Sequence, residues 1–241
     1  MWTHSLLFTV PLALALTVVT AARTRRLCAR SRRQILIALL CFFVFSELFK
    51  QAIALYTRTH TAAYYPFHYS TTYYFSIALY LSKKPHRHQL GACTLYVGGA
   101  LLFLCMLFAP YAVVGDTATL FSSWFSIHSF FYHIFVLFAF FTMLFNREYT
   151  PHPLDAWRYL AFLLCWGSFA LPAAHVYHAN YAGLLHSFIG ALERFRVRFG
   201  DAAYLALYLA LAMLFAWGTI RLWQRIKKRG GNAGFRASRG G

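Results

Sequence analysis

Seven long apolar runs constrain this chain more than any other feature. Each run has between 18 and 27 residues, which is about the length that a helix needs to cross the hydrocarbon core of a bilayer. Backbone groups in lipid must be paired within their own segment, so helices are expected rather than strands. The sequence therefore predicts an all-α membrane protein, a bundle of seven transmembrane helices forming one domain over residues 1–228. The predicted spans are about 5–22, 35–56, 65–82, 90–109, 119–145, 157–178 and 202–223.

The composition agrees with a membrane protein. Hydrophobic residues make up 60% of the chain and charged residues 12%, about half the charged share of a soluble domain. This excludes a soluble enzyme and a disordered chain. The net charge of +17 comes from basic residues between the apolar runs, so it indicates membrane topology and not nucleic-acid binding. Membrane lipids are the expected partners, and no cofactor or metal is predicted.

The basic residues also predict the orientation. Of the Lys and Arg residues, 18 lie in alternate connections together with the C-terminal tail, whereas four lie in the other connections. The positive-inside rule then places the N-terminus outside and the C-terminus in the cytoplasm. The Gly/Arg-rich segment 229–241 is predicted to be a disordered cytoplasmic tail. Residues 183–199 are apolar first and basic later, which leaves an interfacial helix and an ordinary loop both open.

The second span carries Glu47, Lys50 and Gln51. Offsets of three and four residues place them on one helix face, where Glu47 and Lys50 can form a neutral pair. Ionisable groups inside a membrane are costly and are often functional. Two interpretations remain open, an ion pair that locks two helices and a solute-binding or catalytic site.

The third span opens with a proline, which suits a first helical turn, and then the sequence FHYSTT. On a regular helix His68, Thr71 and Thr72 share a face. Ser70 would lie about 200° from His68, so the two would not form a nucleophile–base pair without distortion. His68 is either bonded to a neighbouring helix or part of a site.

The fifth span contains a polar seam. Ser122, Ser126, Ser129 and His133 fall within roughly 60° of one another on a helix, while His128 lies on a different face. Serine seams also serve close helix packing, so both interpretations stay open. Because His128 and His133 differ by about 140°, they are not expected to bind one haem iron.

The depth of these groups is informative. With the predicted topology, Glu47, His68, His128 and His133 all fall in the outer half of the membrane or near its middle. His175 of the sixth span again falls near the outer end, so we expect helices 2, 3, 5 and 6 to form a cavity open to the outer leaflet or the exterior. His175 and His178 end the sixth span and are expected at the outer interface.

At these residues the chain resembles the bacterial YwaF-like integral membrane proteins. The likeness rests on Glu47, on the Pro-x-His sequence ending at His68 and on the histidines of the fifth span, and it covers about residues 35–180. That family includes a conserved hypothetical treponemal membrane protein. The resemblance implies a multi-pass protein of the bacterial cytoplasmic membrane.

The YwaF-like family is in turn similar to eukaryotic seven-helix proteins that include a lipid acyltransferase. There a cysteine directly precedes the histidine of the third span, and a later span supplies a second histidine. His68 matches the first histidine, and His128 or His133 matches the second. The cysteine position is Phe67 here, and a second cysteine position of bacterial members is Ser70, so a thiol mechanism does not carry over.

Two functions follow as hypotheses. The first is an intramembrane lipid acyltransferase or lipid hydrolase, in which a histidine acts as base and a hydroxyl as nucleophile. The second is a proton-coupled transporter or solute-binding protein, in which Glu47 and the histidines relay protons. For the enzyme, the predicted catalytic residues are His68, His128, His133, Ser70 and Thr71, and the predicted substrate-binding residues are Glu47, Lys50, Gln51, Ser126 and Ser129.

Overall fold

The computed structural model describes residues 4–58, 61, 65–114, 124–187 and 189–237. All of the secondary structure in these ranges is helical, which confirms the predicted all-α class. Within the described ranges, nine α-helices are joined by turns and short 3-10 segments. They are α1 (His4–Arg23), α2 (Ala29–Tyr56), α3 (Thr72–Tyr80), α4 (Pro85–Phe108), α5 (Tyr111–Val114), α6 (Trp124–Phe145), α7 (Asp155–Tyr177), α8 (Gly190–Phe199) and α9 (Asp201–Ala237).

Several of these helices have the length and apolar character of membrane spans. In the described ranges five qualify, namely α2, α4, α6, α7 and the part Asp201–Lys227 of α9. Each corresponds to one of the predicted spans, and α1, with 20 residues, coincides with the first predicted span. The chain is therefore a multi-pass membrane protein.

The third predicted span is wrong as a regular helix. Residues 65–68 form turns, residues 69–71 form a single 3-10 turn, and only Thr72–Tyr80 is α-helical. Nine residues make about 14 Å of helix, less than half of the roughly 30 Å hydrocarbon core. Pro66 contributes to the irregular start because its ring disfavours the helical conformation of the residue before it.

Helices α4 and α6 form the centre of the bundle, and each is enclosed over most of its length. Helices α1, α2 and α4 pack on α6, while α7 and α9 pack on each other and on α4. The outer helices turn large apolar side chains outward, including Phe45, Leu48, Phe169 and Leu214, each more than 60% exposed. Apolar exposure on this scale suits a lipid environment and not water.

Polar contacts define one end of the bundle. Arg32, early in α2, pairs with Glu148, just after α6, at 2.6 Å. Gln89, early in α4, donates to Asp155 at the start of α7 over 2.8 Å, and Trp223, late in α9, donates to the carbonyl of Tyr149. The connections rich in Lys and Arg lie here, so we call this the basic end. The opposite end contains the C-terminal parts of α2, α4 and α7 and the start of α6.

Two further segments bear on the sequence predictions. The segment 183–199 contains a real helix, α8, whose Val197 and Phe199 are exposed. Helix α9 continues to Ala237 and so extends into the segment that the sequence predicts as a disordered tail.

Helices α3 and α4 approach so closely that glycine is needed between them. A Cβ atom added at Gly91 would lie 2.1 Å from the backbone nitrogen of Tyr80 and 2.6 Å from the carbonyl oxygen of Ser76. Small residues allow such backbone contact between membrane helices. A larger residue at Gly91 must push α3 away from α4.

We expect Gly91→Ala to lower the thermal unfolding temperature in detergent, because the added methyl group meets backbone atoms that cannot rotate away. Overpacking of this kind typically costs about 1–3 kcal/mol. The matched control is Gly218→Ala in α9, where an added Cβ meets no atom within 4 Å. Equal melting of the two variants would contradict the close approach of α3 and α4.

Candidate functional site

A cavity of about 470 Å³ lies at the end of the bundle opposite the basic end. Its wall is formed by late α2, the segment 65–71, α3, late α4, early α6 and the loop after α7. Eight of the ten predicted site residues line it. The predicted residues in the wall are Glu47, Lys50, His68, Ser70, Thr71, His128, Ser129 and His133.

 Gln51 and Ser126 do not line the cavity, and Ser122 lies outside the described residues.

Glu47 is the centre of a hydrogen-bonded cluster on the α2 side of the cavity. Its Oε1 lies 2.7 Å from Lys50 Nζ and accepts a hydrogen bond of 2.8 Å from Gln51. Its Oε2 accepts a hydrogen bond of 3.0 Å from the hydroxyl of Tyr74 in α3. The carboxylate thus has three donors, which is what a buried charge needs. The predicted pairing of Glu47 with Lys50 is confirmed, and the hydrogen bond from Gln51 agrees with the predicted shared helix face.

The segment 65–71 is irregular, yet its carbonyl groups have donors. The carbonyl of Phe67 accepts from Trp166 Nε1 in α7 over 3.1 Å, and that of Ser70 accepts from the hydroxyl of Tyr132 in α6 over 2.6 Å. The hydroxyl of Thr71 lies 2.7 Å from the carbonyl oxygen of His68. Non-helical backbone at membrane depth is tolerated only where its polar groups are satisfied and it is enclosed by protein or lines a cavity. Helices α6 and α7 therefore hold this segment in place.

His68 lies at the start of this segment's 3-10 turn, with extended backbone angles. Its ring stands edge-on to the ring of Tyr181, with 5.2 Å between the centroids. Because residue 68 is not helical, the predicted shared face with Thr71 and Thr72 is wrong. The 200° separation of His68 from Ser70, which assumed a regular helix, does not apply either.

His133 is held in one tautomer. Its Nδ1 lies 2.6 Å from the carbonyl oxygen of Ser129, and since a carbonyl only accepts, Nδ1 carries the proton. The Ser129 hydroxyl is 3.5 Å from the same nitrogen, too far for a good hydrogen bond. Nε2 makes no hydrogen bond with any residue that the structure describes, and it retains a lone pair.

His128 also lines the cavity, although the helical spacing predicts a different face from His133. Its ring is parallel to that of Tyr132, with centroids 6.1 Å apart. Its Nε2 is buried and has no hydrogen-bond partner in the described part of the chain. The cavity therefore extends around the start of α6 and contacts more than one of its faces.

The two hydroxyl candidates differ in their surroundings. The Thr71 hydroxyl lies near two carbonyls, those of His68 and Pro66, at 2.7 and 3.0 Å, so its single proton is engaged in holding the loop. The Ser70 hydroxyl has no hydrogen-bond partner among the described residues, and Ser70 lines the cavity. Of the two hydroxyls, that of Ser70 is therefore the less engaged.

Several residues that the sequence reasoning missed also build the site. Tyr74, Tyr132 and Trp166 fix Glu47 and the irregular segment, and Cys105 of α4 lines the cavity. Asn180 lines it from the loop after α7, and its side chain bonds the backbone of His186. Tyrosine and tryptophan inside membrane spans carry a polar atom that needs a partner when buried. Their presence in the apolar runs is the sequence feature that could have pointed to Tyr74, Tyr132 and Trp166.

A second polar cluster lies at the basic end and surrounds Asp155, which is fully buried. Its carboxylate accepts from Gln89, Tyr149 and Arg158 and from the backbone of His152. Every donor comes from α4, α7 or the connection before α7. This cluster closes the basic end of the bundle and contributes nothing to the cavity.

The fold and the cavity together define a multi-pass helical membrane protein in which several polar side chains line one cavity between the helices. The chain belongs to the TMEM164 family, whose sequence profile matches residues 1–221. No curated protein and no solved structure matches the chain significantly. The likeness to YwaF-like and treponemal proteins and the location in a bacterial cytoplasmic membrane stay predictions.

Proposed function

We propose that the cavity catalyses acyl transfer from, or hydrolysis of, a membrane lipid ester. The observation that carries this proposal is the fixed tautomer of His133. Its Nδ1 proton is committed to the Ser129 carbonyl, which leaves Nε2 as a proton acceptor on a cavity that the Ser70 hydroxyl also lines. A hydroxyl and a neutral imidazole in one cavity are the elements of nucleophilic acyl transfer.

The chemistry uses these two groups in sequence. The Ser70 oxygen attacks the carbonyl carbon of the lipid ester while the Ser70 proton passes to Nε2 of His133. The bond between the carbonyl carbon and the lipid alcohol then breaks, and the imidazolium returns the proton to the departing alkoxide. The resulting acyl-serine is cleaved by an acceptor alcohol or by water, with His133 again taking and returning one proton. Phe67 excludes the thiol route that the resemblance implies.

The orientation of the protein in the membrane is part of the same proposal. The cavity lies opposite the end that carries most of the Lys and Arg residues, so the positive-inside rule places it toward the outer leaflet. Seven crossings and an external N-terminus require the third crossing to combine segment 65–71 with α3. The donors to its carbonyls support such a broken crossing, because they replace the missing helical hydrogen bonds.

Lipid turnover by the purified protein tests this function. The protein is reconstituted with phospholipid labelled in its acyl chains, and labelled free fatty acid and transferred acyl groups are measured. We expect Ser70→Ala and His68→Ala to lose turnover, the first because it removes the nucleophile and the second because His68 shapes the cavity wall. The matched controls Ser126→Ala and His175→Ala change residues that do not line the cavity and are expected to retain it.

The same preparation tests the alternative of proton-coupled transport, which the Glu47–Lys50 pair in the cavity wall favours. Absence of lipid turnover in the unmodified protein would contradict the enzyme. Uptake into proteoliposomes that needs a proton gradient and is lost in Glu47→Gln would support the transporter instead.

A further inference from the structure

A second, apolar hollow lies between α7 and α9, with a volume of about 300 Å³, near the lower limit of ligand pockets. Leucines from both helices and from the loop after α7 form most of its wall, together with Trp166, Gly167 and Tyr208. We call it the α7–α9 groove. Residues 163–171 stand near the middle of α7, so the groove is at the depth of the lipid chains and not of the headgroups.

Gly167 makes room for this groove. A Cβ atom added there would meet nothing within 4 Å, so no close helix contact requires the glycine. Glycine in a helix interior is unfavourable compared with alanine, and the missing side chain here leaves open space instead of a packed interface.

The groove opens to the surrounding lipid. Leu164 lines it and is also 50% exposed, so the hollow reaches the outer surface of α7. The material at this opening in a bilayer is hydrocarbon, because α7 and α9 are both membrane-spanning in length and composition. Among possible occupants, a hydrocarbon chain is the one that matches an almost wholly apolar wall at this depth.

The groove lies next to the polar cavity, because residues of the two walls contact each other. Trp166 lines the groove, and its ring lies edge-on to Tyr69 of the cavity wall, with centroids 5.6 Å apart. Tyr208 lines the groove, and its hydroxyl is 3.4 Å from the carbonyl oxygen of Ala182, which lines the cavity. A chain bound in the groove is therefore adjacent to the site where a lipid ester would react.

We propose that the α7–α9 groove is a binding site for one acyl chain of a membrane lipid. The site rests on its own geometry and requires no turnover in the cavity. If the proposed function holds, the groove supplies the chain-binding part of the same enzyme, so that the bound lipid is a long-chain ester.

Photolabelling tests the groove directly. The reconstituted protein is irradiated with a phospholipid that carries a diazirine in the middle of one acyl chain, and the labelled peptides are identified by mass spectrometry. We expect labelling to concentrate on the α7 and α9 residues that line the groove. Gly167→Leu fills the space and is expected to reduce this labelling several-fold.

The control is Gly218→Leu in α9, because Gly218 also has nothing within 4 Å but does not line the groove. It is expected to label like the unmodified protein. If Gly167→Leu does not fold, Leu205→Trp fills the groove from the α9 side and serves in its place. Label spread evenly over the outward faces, or equal labelling in the filled variant, would overturn the site.

The labelling experiment and the turnover experiment can succeed or fail independently. Ser70→Ala is expected to keep the groove labelled even where it abolishes turnover, since Ser70 is absent from the groove wall. Focused labelling without any turnover would support the groove and contradict the proposed enzyme. Turnover without focused labelling would overturn the groove alone.

Discussion

Replacing His133 by asparagine is expected to reduce lipid turnover by about 10²- to 10⁴-fold, the usual contribution of a general base. An asparagine amide takes the place of Nδ1 and can still donate to the carbonyl of Ser129, which Nδ1 now contacts at 2.6 Å. The substitution therefore keeps the local hydrogen bond and removes only Nε2, the atom that accepts the proton. The measurement is the initial rate of acyl release from labelled phospholipid.

The control for this substitution is His175→Asn, which changes an exposed histidine at the same end of the bundle. It is expected to retain turnover. Thermal unfolding of both variants distinguishes loss of the base from loss of the fold. A His133→Asn protein that folds normally and turns over lipid within a factor of two of the unmodified protein would exclude His133 as the base.

Replacing Glu47 by alanine is expected to cause the largest loss of stability, about 3 kcal/mol. Removing one partner of a buried ion pair leaves the other charge uncompensated, at a typical cost of about 3–5 kcal/mol. The lower value applies here because Glu47 and Lys50 line a cavity that is large enough to hold water. Gln51 and Tyr74 also lose an acceptor. The free energy of unfolding in detergent measures the effect.

The double variant Glu47→Ala with Lys50→Ala is the informative comparison. It removes both charges, so we expect it to be more stable than Glu47→Ala alone. Tyr74→Phe removes a single hydrogen bond to Glu47 and is expected to cost about 1–2 kcal/mol. If the double variant is the least stable of the three, the cost does not come from an unpaired lysine.

Local patterns in the sequence were sufficient for much of the fold. Apolar runs of membrane length became α1, α2, α4, α6, α7 and α9, because a helix satisfies its own backbone groups within one run. The contacts of Glu47 with Lys50 and Gln51 also follow from local sequence. They are three and four residues apart, and a helix brings such neighbours together.

The segment 65–71 shows where local patterns fail. Its apolar and small polar residues suit a helix by composition, and Pro66 suits a helix start. Its carbonyls are instead bound by Trp166 and Tyr132, which are 99 and 62 residues away from their partners along the chain. A pattern of neighbouring residues cannot predict where donors so distant in the sequence will lie.

The sequence by itself determined the class of the protein, most of its long apolar helices and the polar groups that they carry, because each of these depends on the character of a single run. Only the tertiary structure decided that His68, Ser70, His128 and His133 line one cavity. That arrangement depends on how separate helices pack, and on donors from α6 and α7 that hold one short segment out of helical form. The same packing left space at Gly167, which no property of α7 alone indicates.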